Sequence, residues 1–364
     1  MYIHALDFDR LDADIPVLRD ISNKKKQKRV EKMGIAQETT SQMGRENRIY
    51  SATAIKKICL DAGADDAGLV DPDRESLQKE REGILHVYPL TRSIIAIIVA
   101  NNRESIQSPA RYVANEEFHH TGDRTSSIAR EVLRRLNQLG IRGVVVNKGW
   151  PMAMDRYPGK IWDVSHKIMA VEAGLGHMGM NRLVLHPKYG SCIQLESILV
   201  NGVVDGYDRP LEQNPCFECN LCAAVCPTGA ITKDQPFDFM ACITHTYRDN
   251  YTGFQNMVEA MVTSHDMAEY RSHFDDRETA FMWQSLMFRM SYRCSYCMAV
   301  CPAGEEVKPV YLENKKEHVE RVLKPLRDRK ERVYVTAGSK AEARTKLNPN
   351  KEVRIVRGMT RSLP

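Results

Sequence analysis

The sequence predicts an α+β chain in which a mixed α/β domain, residues 46–205, precedes a cysteine-rich domain, residues 206–310. The β-branched run Ser93–Ala100 is typical of a buried strand, whereas Arg124–Leu139 carries apolar side chains at helical spacing. Eight of the ten cysteines lie after residue 215. With 364 residues the chain has room for two or three domains. We expect a basic N-terminal extension at 1–45 and a basic C-terminal tail at 311–364.

The other elements follow from caps, breakers and periodicity. Ser51 is a typical helix N-cap. Gly140 ends the predicted helix Arg124–Leu139. The remaining predicted helices are Ser51–Ala62, Ile161–Ala173, Lys315–Leu326 and Lys340–Leu347. The remaining predicted strands are Ala67–Val70, Gly143–Asn147, Leu183–Leu185, Ile193–Val200, Val333–Thr336 and Val353–Val356.

Composition and charge are those of an ordinary globular protein, 43% hydrophobic and 27% charged, with a formal net charge of +5. A basic run at residues 24–29 is more often a solvated face than a nucleic-acid site, and binding to nucleic acid stays open. The N-terminus lacks the apolar run of a secretory signal, and the longest apolar stretch, Ile94–Ala100, is too short to cross a bilayer. We therefore expect a cytoplasmic protein without membrane contact. Thiols stay reduced there, so clustered cysteines indicate metal binding or catalysis.

The cysteine-rich segment has the spacing of a bacterial ferredoxin. The first run, which begins at Cys216, reads C-x2-C-x2-C-x3-C-P; the second, which begins at Cys294, reads C-x2-C-x3-C-P and has Cys242 upstream. In such modules the fourth cysteine ligates the other of two [4Fe–4S] clusters. The predicted ligands are Cys216, Cys219, Cys222 and Cys301 for the first cluster, and Cys226, Cys242, Cys294 and Cys297 for the second. Two zinc sites of four cysteines are the alternative, against which the spacing and the prolines argue.

A glycine-rich segment, Ala173-Gly-Leu-Gly-His-Met-Gly-Met-Asn181, precedes the cysteines. Its glycines permit close backbone approach to a large flat cofactor. A plain turn with glycines at positive φ is the simpler interpretation. The segment also satisfies the dinucleotide pattern G-x-G-x-x-G, but its glycines end a helix instead of following a strand and opening one.

This segment, the loop ending in Gly190-Ser191 and the double-cluster module together resemble the cobalamin-dependent family of epoxyqueuosine reductases and reductive dehalogenases. The stretch Arg111–His119 is similar to the R-Y-A…D-Y-H stretch of epoxyqueuosine reductases. The resemblance covers roughly residues 50–310 and implies a nitroreductase-like domain that binds cobalamin. The residues that it assigns to cobalamin are Gly174, Leu175, Gly176, His177, Met178, Gly179, Asn181, Ser191 and Cys192.

The resemblance further implies that electrons pass through both clusters to cobalt, which breaks a carbon–halogen or carbon–oxygen bond. A nearby acid then protonates the product, for which His119, Tyr112 and His120 are the candidates. The substrate would be a small molecule or a modified nucleoside, and the electron donor a ferredoxin, a flavodoxin or a reductase. Two positions depart from the family, because Phe118 replaces a tyrosine and Gln194 replaces a basic residue.

Two other functions remain open on the sequence alone. The chain could be a non-catalytic, ferredoxin-like electron-transfer subunit, or an iron–sulfur reductase that uses a flavin. Cys59 and Cys192 fall outside the motifs, and a buried free thiol is the expectation for each.

Overall fold

A four-stranded antiparallel sheet forms the centre of the α/β part. Its strands lie side by side in the order β2 (Asp66–Val70), β3 (Ser93–Ala100), β7 (Ile193–Val200) and β4 (Gly143–Val145). β3 and β7 pair along all of their residues. The computed structural model describes residues 48–153, 156 and 160–356, so the predicted extension at 1–45 lies outside the described residues.

The remaining elements surround this sheet and build the cysteine-rich part. The other strands are β1 (Ile49–Tyr50), β5 (His177–Met178), β6 (Val184–Leu185), β8 (Val203–Val204), β9 (Glu331–Thr336) and β10 (Lys351–Val356). The α-helices are α1 (Ala52–Asp61), α2 (Gln78–Val87), α3 (Arg103–Gln107), α4 (Arg111–Gln138), α5 (His166–Glu172), α6 (Leu221–Val225), α7 (Phe239–Thr246), α8 (Thr252–Thr263), α9 (Met267–His273), α10 (Asp276–Met287), α11 (Tyr296–Ala299), α12 (Lys308–Glu313), α13 (Lys315–His318), α14 (Lys324–Arg327) and α15 (Lys340–Lys346). A 3-10 turn lies at Glu75–Leu77 and a π-helical turn at Val319–Leu323. In the described part of the chain, no helix combines the length and the apolarity needed to cross a membrane.

Helices cover both faces of the sheet, which explains the uninterrupted apolar run of β3. Its residues Ile95, Ile97 and Val99 pack in one core with α1 and α4. The residues between them pack on the opposite face with α2 and α5. Because successive side chains of a strand point to opposite faces, a strand that is buried on both faces must be apolar throughout.

Helix α4 begins thirteen residues before the predicted start at Arg124. The prediction missed the first half of the helix because that half buries polar side chains. The buried residues there include Arg111, Asn115 and Thr121, and the apolar stripe starts only at Ile128. The predicted helix at Ile161 is instead the shorter α5. Ser165 caps it by accepting a hydrogen bond from the backbone N–H of Ile168 at 3.4 Å.

Helices α8, α9 and α10 lie between Cys242 and Cys294, where the sequence analysis assigned no element. Asp266 accepts a hydrogen bond from the N–H of Glu269 at 2.9 Å and so caps α9. Asp275 caps α10 in the same way through the N–H of Glu278. An Asp followed three residues later by Glu is a signal for a helix start that could have found both helices.

The C-terminal residues form a folded βαβ unit, and the predicted tail at 311–364 is therefore ordered in its described part. β9 and β10 are parallel and are joined by α15. Val333 and Val335 of β9 pack with Ala241 of α7 in a small core, against which Cys226 and Cys242 also lie. The C-terminal unit thus covers one side of two predicted cluster ligands.

A backbone contact between two glycines joins the α/β part to the loop after Cys301. Gly190 and Gly304 have φ angles of +59° and +102°, which are in the left-handed region. A Cβ atom on Gly190 would overlap the carbonyl oxygen of Ala303, and one on Gly304 would lie 2.5 Å from the nitrogen of Gly190. The amide of Glu305 donates to the carbonyl of Pro187 at 2.8 Å. The described residues from Tyr50 onwards accordingly form one compact unit.

Gly190→Ala should lower the free energy of unfolding by roughly 2–5 kcal/mol, because it adds left-handed strain to a steric overlap. Chemical denaturation of the anaerobically purified protein measures this change. Gly206→Ala is the matched control, since a Cβ atom at that position meets nothing within 4 Å. We expect the control to change stability by no more than about 0.5 kcal/mol. Equal stabilities for the two variants would contradict the structural role of the glycine contact.

Candidate metal centres and active site

Four of the eight motif cysteines line one cavity. The residues that line it are Cys216, Cys219, Cys222, Cys301, Met180, Asn181, Leu185, Glu218 and Asn220. Cys301 belongs to the second motif, yet it joins three cysteines of the first. The fold therefore brings together the four side chains that the crossed pairing assigns to the first cluster.

The backbone of the first motif turns around this cavity. Glu218 and Asn220 have φ angles of 52° and 63°, in the left-handed region that Asn tolerates better than most residues. These turns direct the N–H of Leu221 toward the sulfur of Cys219, and the N–H of Ala223 donates to the sulfur of Cys222. Such N–H to sulfur hydrogen bonds stabilise thiolates and are one of the determinants of the potential of an iron–sulfur cluster.

The other four motif cysteines form a second group. Burial raises the pKa of Cys294 to about 12, and the negative charges of Cys226 and Cys242 act in the same direction. Burial and the negative charges of Cys226 and Cys242 also raise the pKa of Cys297. The charge of Cys222, which belongs to the first group, contributes to this rise. The charge of Cys222 thus reaches across to the second group, so the two groups are neighbours.

The chemistry of both groups fits a cationic cluster. Burial raises the pKa of Cys222 to about 12 and that of Cys242 to about 11, so the metal-free thiols are protonated at neutral pH. Binding of iron would convert these thiols to thiolates and release their protons. The positive charge of the iron would offset the repulsion between the thiolates. Among the described residues, no three His, Cys, Asp or Glu side chains stand close enough together to hold a single metal ion.

The glycine-rich segment forms a short hairpin in which β5 pairs with β6. A Cβ atom on Gly174 would lie 2.5 Å from the carbonyl oxygen of Arg209, and one on Gly176 would lie 2.7 Å from that of Leu185. A Cβ atom on Gly179 would lie 2.7 Å from the Leu185 side chain. The absence of side chains therefore serves the packing of the hairpin on its own chain, which is the simpler of the interpretations given above.

The other predicted cofactor residues differ in exposure. His177 and Met178 are partly exposed, whereas Leu175, Ser191 and Cys192 are buried. Ser191 Oγ donates to the carbonyl of Met298 at 2.9 Å, and Asn181 Nδ2 donates to the carbonyl of Cys297 at 3.3 Å. The two buried polar side chains therefore brace the loop of the second motif.

The structure does not bring the three predicted proton donors together. Tyr112 is 73% exposed, and His120 is an exposed residue that pairs with Glu116 at 3.1 Å. His119 points inward, and its Nε2 is buried without a hydrogen-bond partner. Burial, with the charges of Arg293 and Arg289, lowers the pKa of His119 to about 4, so its imidazole is neutral at pH 7.

His119 faces a polar region at one end of the interface between α4 and β7. Gln194 Nε2 donates to the carbonyl of Phe118 and to Asn101 Oδ1, both at 3.3 Å. Glu196, on the same face of β7, accepts a hydrogen bond from Ser126 at 2.6 Å. We call this region, comprising His119, Gly122, Asp123, Lys148, Gln194, Glu196, Arg289 and Arg293, the polar pocket. It lies where the apolar stripe of α4 gives way to polar side chains.

Sequence reasoning missed Lys148 and Glu196. Burial lowers the pKa of Lys148 to about 8, although the charge of Glu196 opposes this shift. Burial raises the pKa of Glu196, whose Oε1 lies 3.3 Å from His166 Nε2. A charged residue within the strand Ile193–Val200 was the available signal, because a buried strand carries a carboxylate only where it finds partners.

Cys222→Ser and Cys226→Ser should each remove one cluster, but not the same one, although the two residues are four positions apart. Iron should fall from about eight to about four atoms per chain in either variant, because each set of four thiolates holds one cube. EPR of the reduced variants should show two different remaining signals. Loss of the same signal in both variants would contradict the crossed arrangement.

No protein-family model matches the chain. The epoxyqueuosine reductase of Synechococcus sp. (strain RCC307) is 28% identical over 244 residues, which are 64% of this chain and 69% of that protein. The epoxyqueuosine reductase of Bacillus cereus is 23% identical over 293 residues, which are 75% of this chain and 65% of that protein. The chain thus spans about two thirds of the length of these relatives.

Among solved structures, the epoxyqueuosine reductase of Streptococcus thermophilus is 17% identical with a TM-score of 0.42, over 69% of this chain and 65% of that one. Reductive dehalogenases are also among the similar structures. The family resemblance of the sequence motifs is confirmed by the named relatives. The chain is a homologue of proteins named epoxyqueuosine reductase, which indicates that it is an enzyme, a reductase.

Proposed function

We propose that the chain is a cobalamin-dependent iron–sulfur reductase that receives electrons through two [4Fe–4S] clusters. The observation that carries this proposal is the convergence of eight cysteines into two neighbouring groups beside the polar pocket. A nitroreductase-like α/β domain would form the pocket, and a bacterial ferredoxin-type module would hold the clusters. The ten free thiols suit a reducing compartment, which would be the cytoplasm.

The two cysteine groups would have different roles in electron transfer, one for entry and one for exit. The first group lies beside exposed Glu218 and the exposed stretch 212–214, so an external ferredoxin, flavodoxin or reductase would donate electrons there. The second group lies toward the polar pocket, because Arg293 directly precedes Cys294 and its charge acts on both His119 and Lys148. Electrons would enter at the first group and leave from the second.

Several buried donors suit a cofactor edge that is rich in carbonyl groups. Asn101 Nδ2 and His119 Nε2 lack hydrogen-bond partners although both atoms are buried. The amide side chains around a corrin ring would supply such acceptors. The residues that would hold cobalamin are Asn101 and the partly exposed His177 and Met178. Reduced cobalamin, when bound, supplies a cobalt centre that can break a carbon–halogen or carbon–oxygen bond.

Lys148 suits proton donation to the product better than His119 does. An effective general acid has a pKa close to the working pH. The pKa of Lys148 is about 8, whereas that of His119 is about 4, so only the lysine holds a transferable proton at pH 7. His119 would act as a neutral hydrogen-bond donor. Tyr112 and His120 are too exposed to share this site.

The substrate would be a small organic molecule or a modified nucleoside from which the enzyme removes a leaving group reductively. Reductive deoxygenation follows from the named relatives, and reductive dehalogenation uses the same cofactors. Phe118 and Gln194 replace two polar family residues, so we expect a substrate that differs from both family types. An anaerobic screen of epoxides, allylic alcohols and aryl halides, scored by product formation, would identify the class.

Cobalamin added to the anaerobically reconstituted protein should give the spectrum of the cofactor without its lower axial ligand. Metal analysis of the protein after gel filtration should give about one cobalt and about eight irons per chain. Flavin absorption bands, or cluster absorbance with no retained cobalt, would overturn the proposal in favour of a flavin enzyme or an electron-transfer subunit.

A further inference from the structure

Three cationic or donor groups of the polar pocket come from separate segments, and each carries a buried nitrogen without a hydrogen bond. These atoms are Lys148 Nζ, Arg289 Nη1 and His119 Nε2. A buried donor without a partner costs about 1–3 kcal/mol, so evolution removes it unless something else satisfies it. The charges of Asp123 and Arg293 act on both His119 and Lys148, and that of Arg289 acts on His119, so the three groups share one region. One acceptor group bound there would satisfy them.

Gly122 provides the space for that acceptor. It lies one helical turn after His119 in α4, where a glycine costs roughly 1 kcal/mol relative to alanine. A Cβ atom at this position would lie 3.8 Å from Lys148 Nζ and 3.9 Å from Gln194 Oε1. The missing side chain therefore leaves a methyl-sized gap within van der Waals distance of the lysine ammonium, into which one oxygen of a bound group would fit.

The nearby carboxylates do not neutralise this lysine. Asp123 is paired with Arg289 Nη2 at 2.7 Å. Glu196 accepts from Ser126 at 2.6 Å, lies 3.3 Å from His166 Nε2, and makes no ion pair with Lys148 within 4 Å. The charges of Glu196 and Asp123 act on Lys148 without an ion pair, and the positive charge of Arg293 opposes them. The pocket thus keeps an excess of positive charge.

Aromatic rings border the same region. The Arg293 guanidinium lies 4.5 Å from the ring centroid of Phe118 and 5.4 Å from that of Tyr247. Trp150 packs against Tyr247 with ring centroids 5.5 Å apart. A ligand in this position would find cations at one end and apolar rings beside them.

We propose that Lys148, Arg289 and His119 form a subsite that binds an anionic oxygen group, a carboxylate or a phosphate, carried by the substrate. This inference rests on the proposed function, which makes the polar pocket the substrate end of the electron path. The Gly122 space admits the anion, Lys148 and Arg289 supply charge, and neutral His119 donates one hydrogen bond. The substrate of this enzyme is accordingly an acid or a phosphate ester, in contrast to a neutral molecule.

Isothermal titration of the cluster-loaded protein without cobalamin, with inorganic phosphate and with acetate in separate experiments, tests this subsite. We expect millimolar or tighter binding of one of the two anions, and the stronger one identifies the group. Lys148→Met should weaken binding at least tenfold while leaving thermal stability equal or higher, because it removes a buried unpaired charge. Lys57→Met is the control, since Lys57 is 72% exposed and pairs with Asp61.

Gly122→Val provides a second variant that keeps every charge and fills the space, and it should also weaken binding at least tenfold. Absence of anion binding by the unmodified protein, or equal affinity in the Lys148→Met and Lys57→Met variants, would overturn the subsite. Retention of cobalt is measured separately by absorption, so failure of the proposed function would be distinguished from failure of the subsite.

Anion binding should weaken as the pH rises through about 8, because Lys148 then loses its charge. The other groups that face it are Arg293, Arg289 with its ion-pair partner Asp123, and His119, which is already neutral. Burial raises the pKa of Glu196, and its ionisation adds a negative charge that also weakens anion binding. Titrations from pH 6 to 9 with acetate, whose charge is constant over this range, measure the dependence, and Lys148→Met should reduce it to the contribution of Glu196. Affinity that is constant over this range would contradict the role of the lysine.

Discussion

The burial of clustered cysteine thiols, to which repulsion between neighbouring thiolates adds, is the constraint on which the rest of this structure depends. Each cysteine group collects sulfur atoms from distant parts of the chain into a desolvated space, where negative charges cannot persist without a cation. The pKa values of about 11 and 12 for Cys242 and Cys294 reflect that cost. The surrounding elements hold the groups together: the glycine contact at Gly190 and Gly304 fixes the loop after Cys301, and the C-terminal strands cover Cys226.

The spacing of the cysteines along the sequence made the two cysteine groups predictable. The periodicity of the apolar residues made only part of the fold predictable. The strands Ser93–Ala100 and Ile193–Val200 follow directly from β-branched runs, because both are buried. The first half of α4 escaped prediction because its buried face is polar. Helices α9 and α10 escaped because their apolar side chains are largely exposed, among them Phe281 and Trp283 at 55% each. Periodicity detects burial of apolar surface, and these segments bury little of it.

The polar pocket was the part of the site least accessible from sequence. Lys148, Glu196 and Arg289 are far apart in the chain and match no motif, and only the packing of α4 on the end of β7 makes them neighbours. The glycine segment has packing that its motif did not predict. Gly174 and Gly176 lie against the backbone of Arg209 and Leu185 in a hairpin. The assignment of this segment to a flat cofactor stays a prediction.

The C-terminal βαβ unit has a consequence for how the protein matures. Its strands follow all eight motif cysteines in the sequence, and β9 packs against α7 beside Cys226 and Cys242. If the second group holds a cluster as proposed, iron that arrives after this packing has formed would have to reopen the interface. No residue of the βαβ unit lines the cavity of the first group, so iron would reach that group without disturbing the unit.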